Sequence, residues 1–152
     1  MNKSEIGDAE LGKVTDLPDL RFLDLQTSRI TGEGLKTVGK LTSLESLDLT
    51  ATEITDLTPL EPLTELRNLG IAYSGVREAN FEPLAKLPNL RRLGVSGLGV
   101  TGQGIIKLAN CKQLEHLAIN GAQLGENALV PLQSLENLKT LSLRDGTYDR
   151  DD

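Results

Sequence analysis

Apolar residues recur along the chain in a fixed figure. Leu20-Arg21-Phe22-Leu23-Asp24-Leu25 returns 24 residues later as Leu44-Glu45-Ser46-Leu47-Asp48-Leu49. Further copies of L-x-x-L-x-L begin at Leu66, Leu90, Leu114 and Leu138, with Ile or Val closing some of them. Five residues beyond the closing aliphatic stands another, Ile30, Ile54, Val76, Val100 or Leu124, and three residues before each copy stands Leu17, Leu41, Leu63, Leu87, Cys111 or Leu135. Such self-similarity marks a repeat architecture. Within a unit, Leu23 and Leu25 alternate with polar residues and predict a short strand, whereas Leu35, Val38 and Leu41 are spaced by three and predict a helical turn or two. The second copy, Ile54-Thr55-Asp56-Leu57-Thr58-Pro59-Leu60-Glu61-Pro62-Leu63, carries two prolines that remove donors, so an extended or 3₁₀ segment is expected there.

The pattern from Leu20 to Tyr148 resembles the leucine-rich repeat family, L-x-x-L-x-L-x-x-(Asn, Cys or Thr)-x-Leu. Ile30-Thr31-Gly32-Glu33-Gly34-Leu35 is similar to the ribonuclease-inhibitor-like and cysteine-containing types, bacterial ones included, and the proline-bearing second copy resembles an internalin repeat. The resemblance implies an α/β right-handed solenoid with a parallel β-sheet on the concave face and short helices and 3₁₀ turns on the convex face. Neither half of a unit buries its apolar side alone, so units stack. One domain over residues 1–152 is expected: a half repeat at 6–17, units starting near Leu17, Leu41, Leu63, Leu87, Cys111 and Leu135, and an acidic tail at 149–152. Six strands about 4.8 Å apart give a wall roughly 25 to 30 Å wide. The ninth position, where the family has an Asn ladder, holds Ser28, Thr52, Ser74, Leu98, Ala122 and Gly146, so the backbone at that turn needs other partners.

Residues between and just after the strand leucines face outward on the concave wall. One column reads Phe22, Ser46, Asn68, Arg92, His116, Thr140; the next Asp24, Asp48, Gly70, Gly94, Ala118, Ser142; the third Gln26, Thr50, Ala72, Ser96, Asn120, Arg144. From these columns and the adjacent Tyr73, the candidate partner-binding residues are Phe22, Asp24, Asp48, Asn68, Tyr73, Arg92, His116, Asn120 and Arg144. Tyr73 and Arg92 rank first, because interface anchors favour Tyr and Arg and Gly70, Gly94 and Ala118 leave room beside them. Phe81 takes the convex core slot of Leu35, and Tyr148 that of Ile30. Charge is polarised: residues 1–66 carry a net −7, 67–144 a net +4 and the last eight −3. Such a gradient orients docking more than it strengthens it.

Composition narrows the chemistry. Leu supplies 30 of 152 residues and aromatics only 3%, so the core is aliphatic. A net charge of −6 argues against nucleic acid, whose binding rests on Lys and Arg clusters. Neither a membrane span nor a leader is apparent, and Asn2-Lys3-Ser4 reads as an accidental sequon. The single Cys111 cannot form an intramolecular disulfide, which favours a reducing, cytoplasmic compartment over a secreted effector. Cys111 and His116 are single copies five residues apart, yet the register puts Cys111 inward and His116 outward, which disfavours a nucleophile and base pair. No Cys or His cluster suggests a metal, and Asp24 with Asp48 is a weak cation signal. Gly97-Leu98-Gly99-Val100-Thr101-Gly102 matches G-x-G-x-x-G, but it is the strand-to-convex turn of its unit, where glycines relieve backbone strain. No cofactor and no enzymatic activity are expected.

The expected function is binding of a protein or peptide on the concave face, as an adaptor, effector or scaffold. A small acidic inhibitor of a basic enzyme and a structural spacer within a larger protein are the alternatives. At the last unit Leu141 and Leu143 lie beside an edge strand. Three readings stay open there: the acidic tail solvates the edge, the chain belongs to a longer protein, or the edge self-associates with another chain.

Overall fold

A computed structural model describes residues 6–144 and 147–148, without the side chains of Thr15, Thr147 and Tyr148. The acidic tail, Gly146 and the Asn2-Lys3-Ser4 triplet lie outside the described residues, and so does the Tyr148 side chain. Each L-x-x-L-x-L copy forms a three-residue strand: β1 Phe22–Asp24, β2 Ser46–Asp48, β3 Asn68–Gly70, β4 Arg92–Gly94 and β5 His116–Ala118. A two-residue β6, Gln123–Leu124, precedes β7, Thr140–Ser142, and β8 is Thr147–Tyr148. The sheet runs β1-β2-β3-β4-β5-β7, every pair parallel, and β6 pairs with β8 in a small second sheet. The register aligns Phe22, Ser46, Asn68, Arg92, His116 and Thr140, which is the first column read from the sequence.

The middle residue of each strand is Leu. Leu47, Leu69, Leu93 and Leu117 are buried, because each has a unit on both sides. Leu141, at the edge, is 38% exposed. One continuous apolar cluster extends from Leu11 to Leu135, and Phe81 is buried in it as its slot requires. Leu17 departs from the pattern: it is 52% exposed, while Leu41, Leu63, Leu87, Cys111 and Leu135 are buried. Among the described residues no preceding full unit covers that slot as one covers the others. The half repeat nevertheless docks, with Leu11 buried and Arg29 N donating to Ile6 O.

The turn after each strand answers the question left by the missing Asn ladder. Thr27, Ala51, Tyr73, Gly97 and Gly121 all take left-handed φ, between 53° and 78°. Their amides donate to the carbonyls of Thr50, Ala72, Ser96, Asn120 and Arg144 in the following unit at 2.8 to 2.9 Å. The strand ladder thus continues through the turn by backbone alone. Ser28, Thr52 and Ser74 hydroxyls each cap the carbonyl three residues back, at 2.7 Å.

The convex side uses two solutions. Helices α1 Asp8–Leu11, α2 Gly32–Val38 and α3 Gly102–Leu108 occupy three units. Thr31 and Thr101 are the N-caps of the two longer helices, and each is held by a carboxylate from the unit before. Asp8 accepts from Thr31 N at 2.8 Å, and Glu78 accepts from Thr101 N at 2.8 Å, from its hydroxyl at 2.9 Å and from Gly104 N at 3.1 Å. A Cβ at Gly34 or Gly104 would strike those carboxylates, which is why T-G-x-G is spelled twice. The proline-bearing second copy is 3₁₀ at Thr58–Leu60, as expected, and Pro83 and Pro131 enforce the same conformation at Glu82–Lys86 and Val130–Ser134.

Glu78→Ala leaves three donors of the next unit without their acceptor, so unfolding free energy should drop by about 1–2 kcal/mol. Urea titration checks this against Glu126→Ala, an exposed position expected to stay within about 0.5 kcal/mol of the parent. Equal midpoints for the two variants would remove the staple from the account.

Candidate partner-binding surface

Outward side chains of the strands line a shallow trough of about 350 Å³ on the sheet, with Asp48, Asn68, Gly70, Arg92, Gly94 and His116 among its walls. Of the sequence candidates, Asp48, Asn68, Arg92 and His116 are therefore brought together. Phe22 stands at the β1 edge, 68% exposed. Asp24, Tyr73, Asn120 and Arg144 lie outside the trough lining. Tyr73 misses it because it sits three residues past the end of β3 in a left-handed turn, φ 53°. Its ring lies over Gly97, where a Cβ would collide with it, rather than over Gly70 and Gly94. The ring is still 66% exposed, so it contributes little to the core. A tyrosine in this region carries on the order of 1 kcal/mol of backbone strain that a glycine would avoid.

Hydrogen bonding divides the candidates further. Asp24 accepts from Gln26 N at 3.0 Å; Asp48 accepts from Thr50 N at 2.9 Å and from Gln26 Nε2 at 2.9 Å. Both carboxylates thus close the chain's own turns. A Cβ at Gly70 would fall 2.8 Å from Asp48 Oδ1, so that glycine makes room for the Asp48 side chain. Asn120 Oδ1 accepts from Ser142 Oγ at 2.9 Å and from Arg144 N at 2.8 Å, tying down the last strand. His116 Nδ1 meets Thr140 Oγ1 at 2.6 Å.

A fourth column, one residue before the first, was not among the candidates. It reads Arg21, Glu45, Arg67, Arg91, Glu115, Lys139 and forms two ion chains. Glu45 lies between Arg21 at 3.3 Å and Arg67 at 3.9 Å; Glu115 lies between Arg91 at 2.5 Å and Lys139 at 2.7 Å. Hydrogen bonds from Lys139 and then Arg91 hold the Glu115 carboxyl down to about 2. The signal for this column was present in the same 22 to 24-residue period, as a basic or acidic residue after each first Leu.

Two groups in the trough are left without partners. The Arg92 side chain makes no hydrogen bond or ion pair among the described residues. Asn68 Oδ1 is buried and accepts nothing there. The two residues are in register on neighbouring strands.

Cys111 and His116 are kept apart: Cys111 is buried in the core and its thiol is pushed up to about 12 by that burial, while His116 lines the trough. The native thiol should therefore resist alkylation by iodoacetamide at pH 8 and react on unfolding in urea; equal rates in both states would place it at the surface. The G-x-G-x-x-G segment is a turn, with Gly97 and Gly99 at φ 73° and 62°. Among the described residues no group of three His, Cys, Asp or Glu could hold a metal ion, and no helix is long and apolar enough to cross a membrane.

No protein-family model matches the chain, and no curated protein matches it. Solved structures do. An internalin, inlF, of Listeria monocytogenes superposes at TM-score 0.70 and 24% identity over 97% of this chain and 47% of that one. A leucine-rich repeat protein of Leptospira interrogans gives 0.70 and 24%, covering 90% and 34%. The leucine-rich repeat ectodomain of the Arabidopsis receptor kinase HAESA, solved with an extended IDA peptide hormone ligand, gives 0.69 and 22%, covering 91% and 24%. The fold is thus that of a leucine-rich repeat solenoid, and the chain spans half or less of the length of these three structures.

Proposed function

We propose that the chain is a recognition module that holds a protein or peptide partner on its concave wall. The observation that carries this reading is a row of polar side chains standing in register on the parallel sheet, with the exposed Arg92 side chain unpartnered in the trough among the described residues. The exposed Arg92 guanidinium is free to exchange solvent for a partner's acceptor, because no side chain among the described residues competes for it. The HAESA ectodomain, which has this fold, was solved in complex with a peptide hormone, and this supports a peptide as one class of partner. Phe22 and the strained, exposed Tyr73 add aromatic anchors at its margins, with Asp48 and His116 in the trough and Asp24, Asn120 and Arg144 outside its lining as a polar rim. The roles of adaptor, effector, scaffold or inhibitor of a basic enzyme all use this surface; a spacer does not. Self-association remains a separate proposal for the last unit, where Val130 and Leu141 border an open hollow of about 580 Å³.

Photo-cross-linking tests the reading. A benzophenone amino acid at His116, in the trough, is compared with one at Ile106, which is 50% exposed on α3. Adducts from cell extract at position 116 and not 106 are expected. Adducts at 106 alone would move binding to the convex face, and none at either position would favour the spacer.

A further inference from the structure

We infer that the segment held in the trough is an extended polypeptide bearing an acidic side chain, whose carboxylate is seated on Arg92. This rests on the concave-wall reading above and adds the chemistry of the occupant. Four observations converge on it. First, the acidic groups of the wall are already engaged: Asp24 and Asp48 accept from Gln26 and Thr50, and Glu45 and Glu115 are each flanked by two cations. A basic occupant would have to compete with these bonds.

Second, the cations are not equally engaged. Each ion chain holds two positive charges on one negative, and the chains meet at the β3 to β4 step, where Arg67 and Arg91 are neighbours along the column. Arg67 is the weaker partner of Glu45, at 3.9 Å. Arg92 follows Arg91 directly and has no ion pair or hydrogen bond of its own among the described residues. The middle of the wall is thus locally positive although the whole chain is −6.

Third, the unmet cation sets the chemistry. Arg92 is exposed and offers a fork of donors that fits a carboxylate in two hydrogen bonds. Among the groups of a polypeptide, the side chain of Asp or Glu matches that fork. Asn68 Oδ1, in register on the adjacent strand, is buried beneath the surface of the trough and is closed to an occupant.

Fourth, there is room. A Cβ built on Gly94, two residues after Arg92, meets nothing within 4 Å, so the floor beside the guanidinium is open for the next side chain of the segment.

The test selects twelve-residue random peptides displayed as N-terminal fusions on phage, so that no peptide presents a free C-terminal carboxylate. Selection is run on the parent chain, on Arg92→Glu and on Gly94→Trp, with urea midpoints confirming that both variants are folded. Peptides enriched on the parent should share Asp or Glu at one position, lose binding about tenfold or more on Arg92→Glu, and be excluded by Gly94→Trp. Selection on Arg92→Glu should return Lys or Arg at that same position. Peptides excluded by Gly94→Trp but lacking a fixed acid, and bound equally by Arg92→Glu, would overturn the acidic occupant and leave the concave wall standing. Peptides indifferent to both variants, or no enrichment on the parent, would overturn the concave wall and this inference with it.

Discussion

Leu47→Asp is expected to leave the chain unfolded in buffer in which the parent is folded. Leu47 is 1% exposed, is the middle residue of β2, and is paired with Leu23 on one side and Leu69 on the other. Losing its methyl groups alone costs about 2–5 kcal/mol. A carboxylate in the same place finds no cation in an aliphatic cluster, and either its ionisation or its desolvation adds several kcal/mol more. The total reaches the whole stability of an ordinary domain, about 5–15 kcal/mol. A solenoid amplifies the damage, because each unit is held only by its neighbours and β2 joins the unit of β1 to all the strands that follow. Far-UV circular dichroism and amide NMR dispersion should both collapse. Ser46→Asp, the adjacent outward residue, should change stability by no more than about 0.5 kcal/mol. A folded Leu47→Asp would mean that the inward and outward columns have been interchanged.

Those columns were legible because burial in this fold has a simple period. The Leu at the middle of each strand and the aliphatic that follows the turn are inward in every central unit, and the prolines of the second copy announced its 3₁₀ segment. What escaped the sequence follows from context that a repeat averages away. Leu17 spells the same letter as Leu41, but among the described residues no full unit packs over it, and it is exposed. Asp24 and Asp48 look like free charges in a column of polar residues, yet an Asp two residues ahead of a turn amide closes that turn on itself. Arg92 and Arg91 are adjacent and alike on paper; which of them is spent depends on Glu115 standing in the next unit. The trough was foreseen as a surface, but its unmet valences appear only when every donor and acceptor is paired off.

Tyr73 shows the same limit at the level of backbone conformation, since a tyrosine gives no notice that it occupies a left-handed turn. The adjacent Gly97 does, and its replacement carries the second large effect. Gly97→Val should lower unfolding free energy by about 3–4 kcal/mol, because a β-branched residue at φ 73° is strained and its Cβ would collide with the Tyr73 ring. The two contributions separate in a double-mutant cycle. In a Tyr73→Ala background the collision disappears and only the backbone strain remains, so Gly97→Val should cost at least about 1 kcal/mol less than in the parent. Tyr73→Ala alone should be nearly neutral, because the ring is 66% exposed. Urea midpoints of the four chains give the coupling directly. A coupling of zero would mean that the ring does not rest on Gly97, and Tyr73 would then lose the fixed position from which it could anchor a partner at the edge of the trough. A coupling of the expected sign would show that the glycine is kept at that turn for two reasons: its own conformation, and the space it leaves beneath an aromatic side chain that the core does not use.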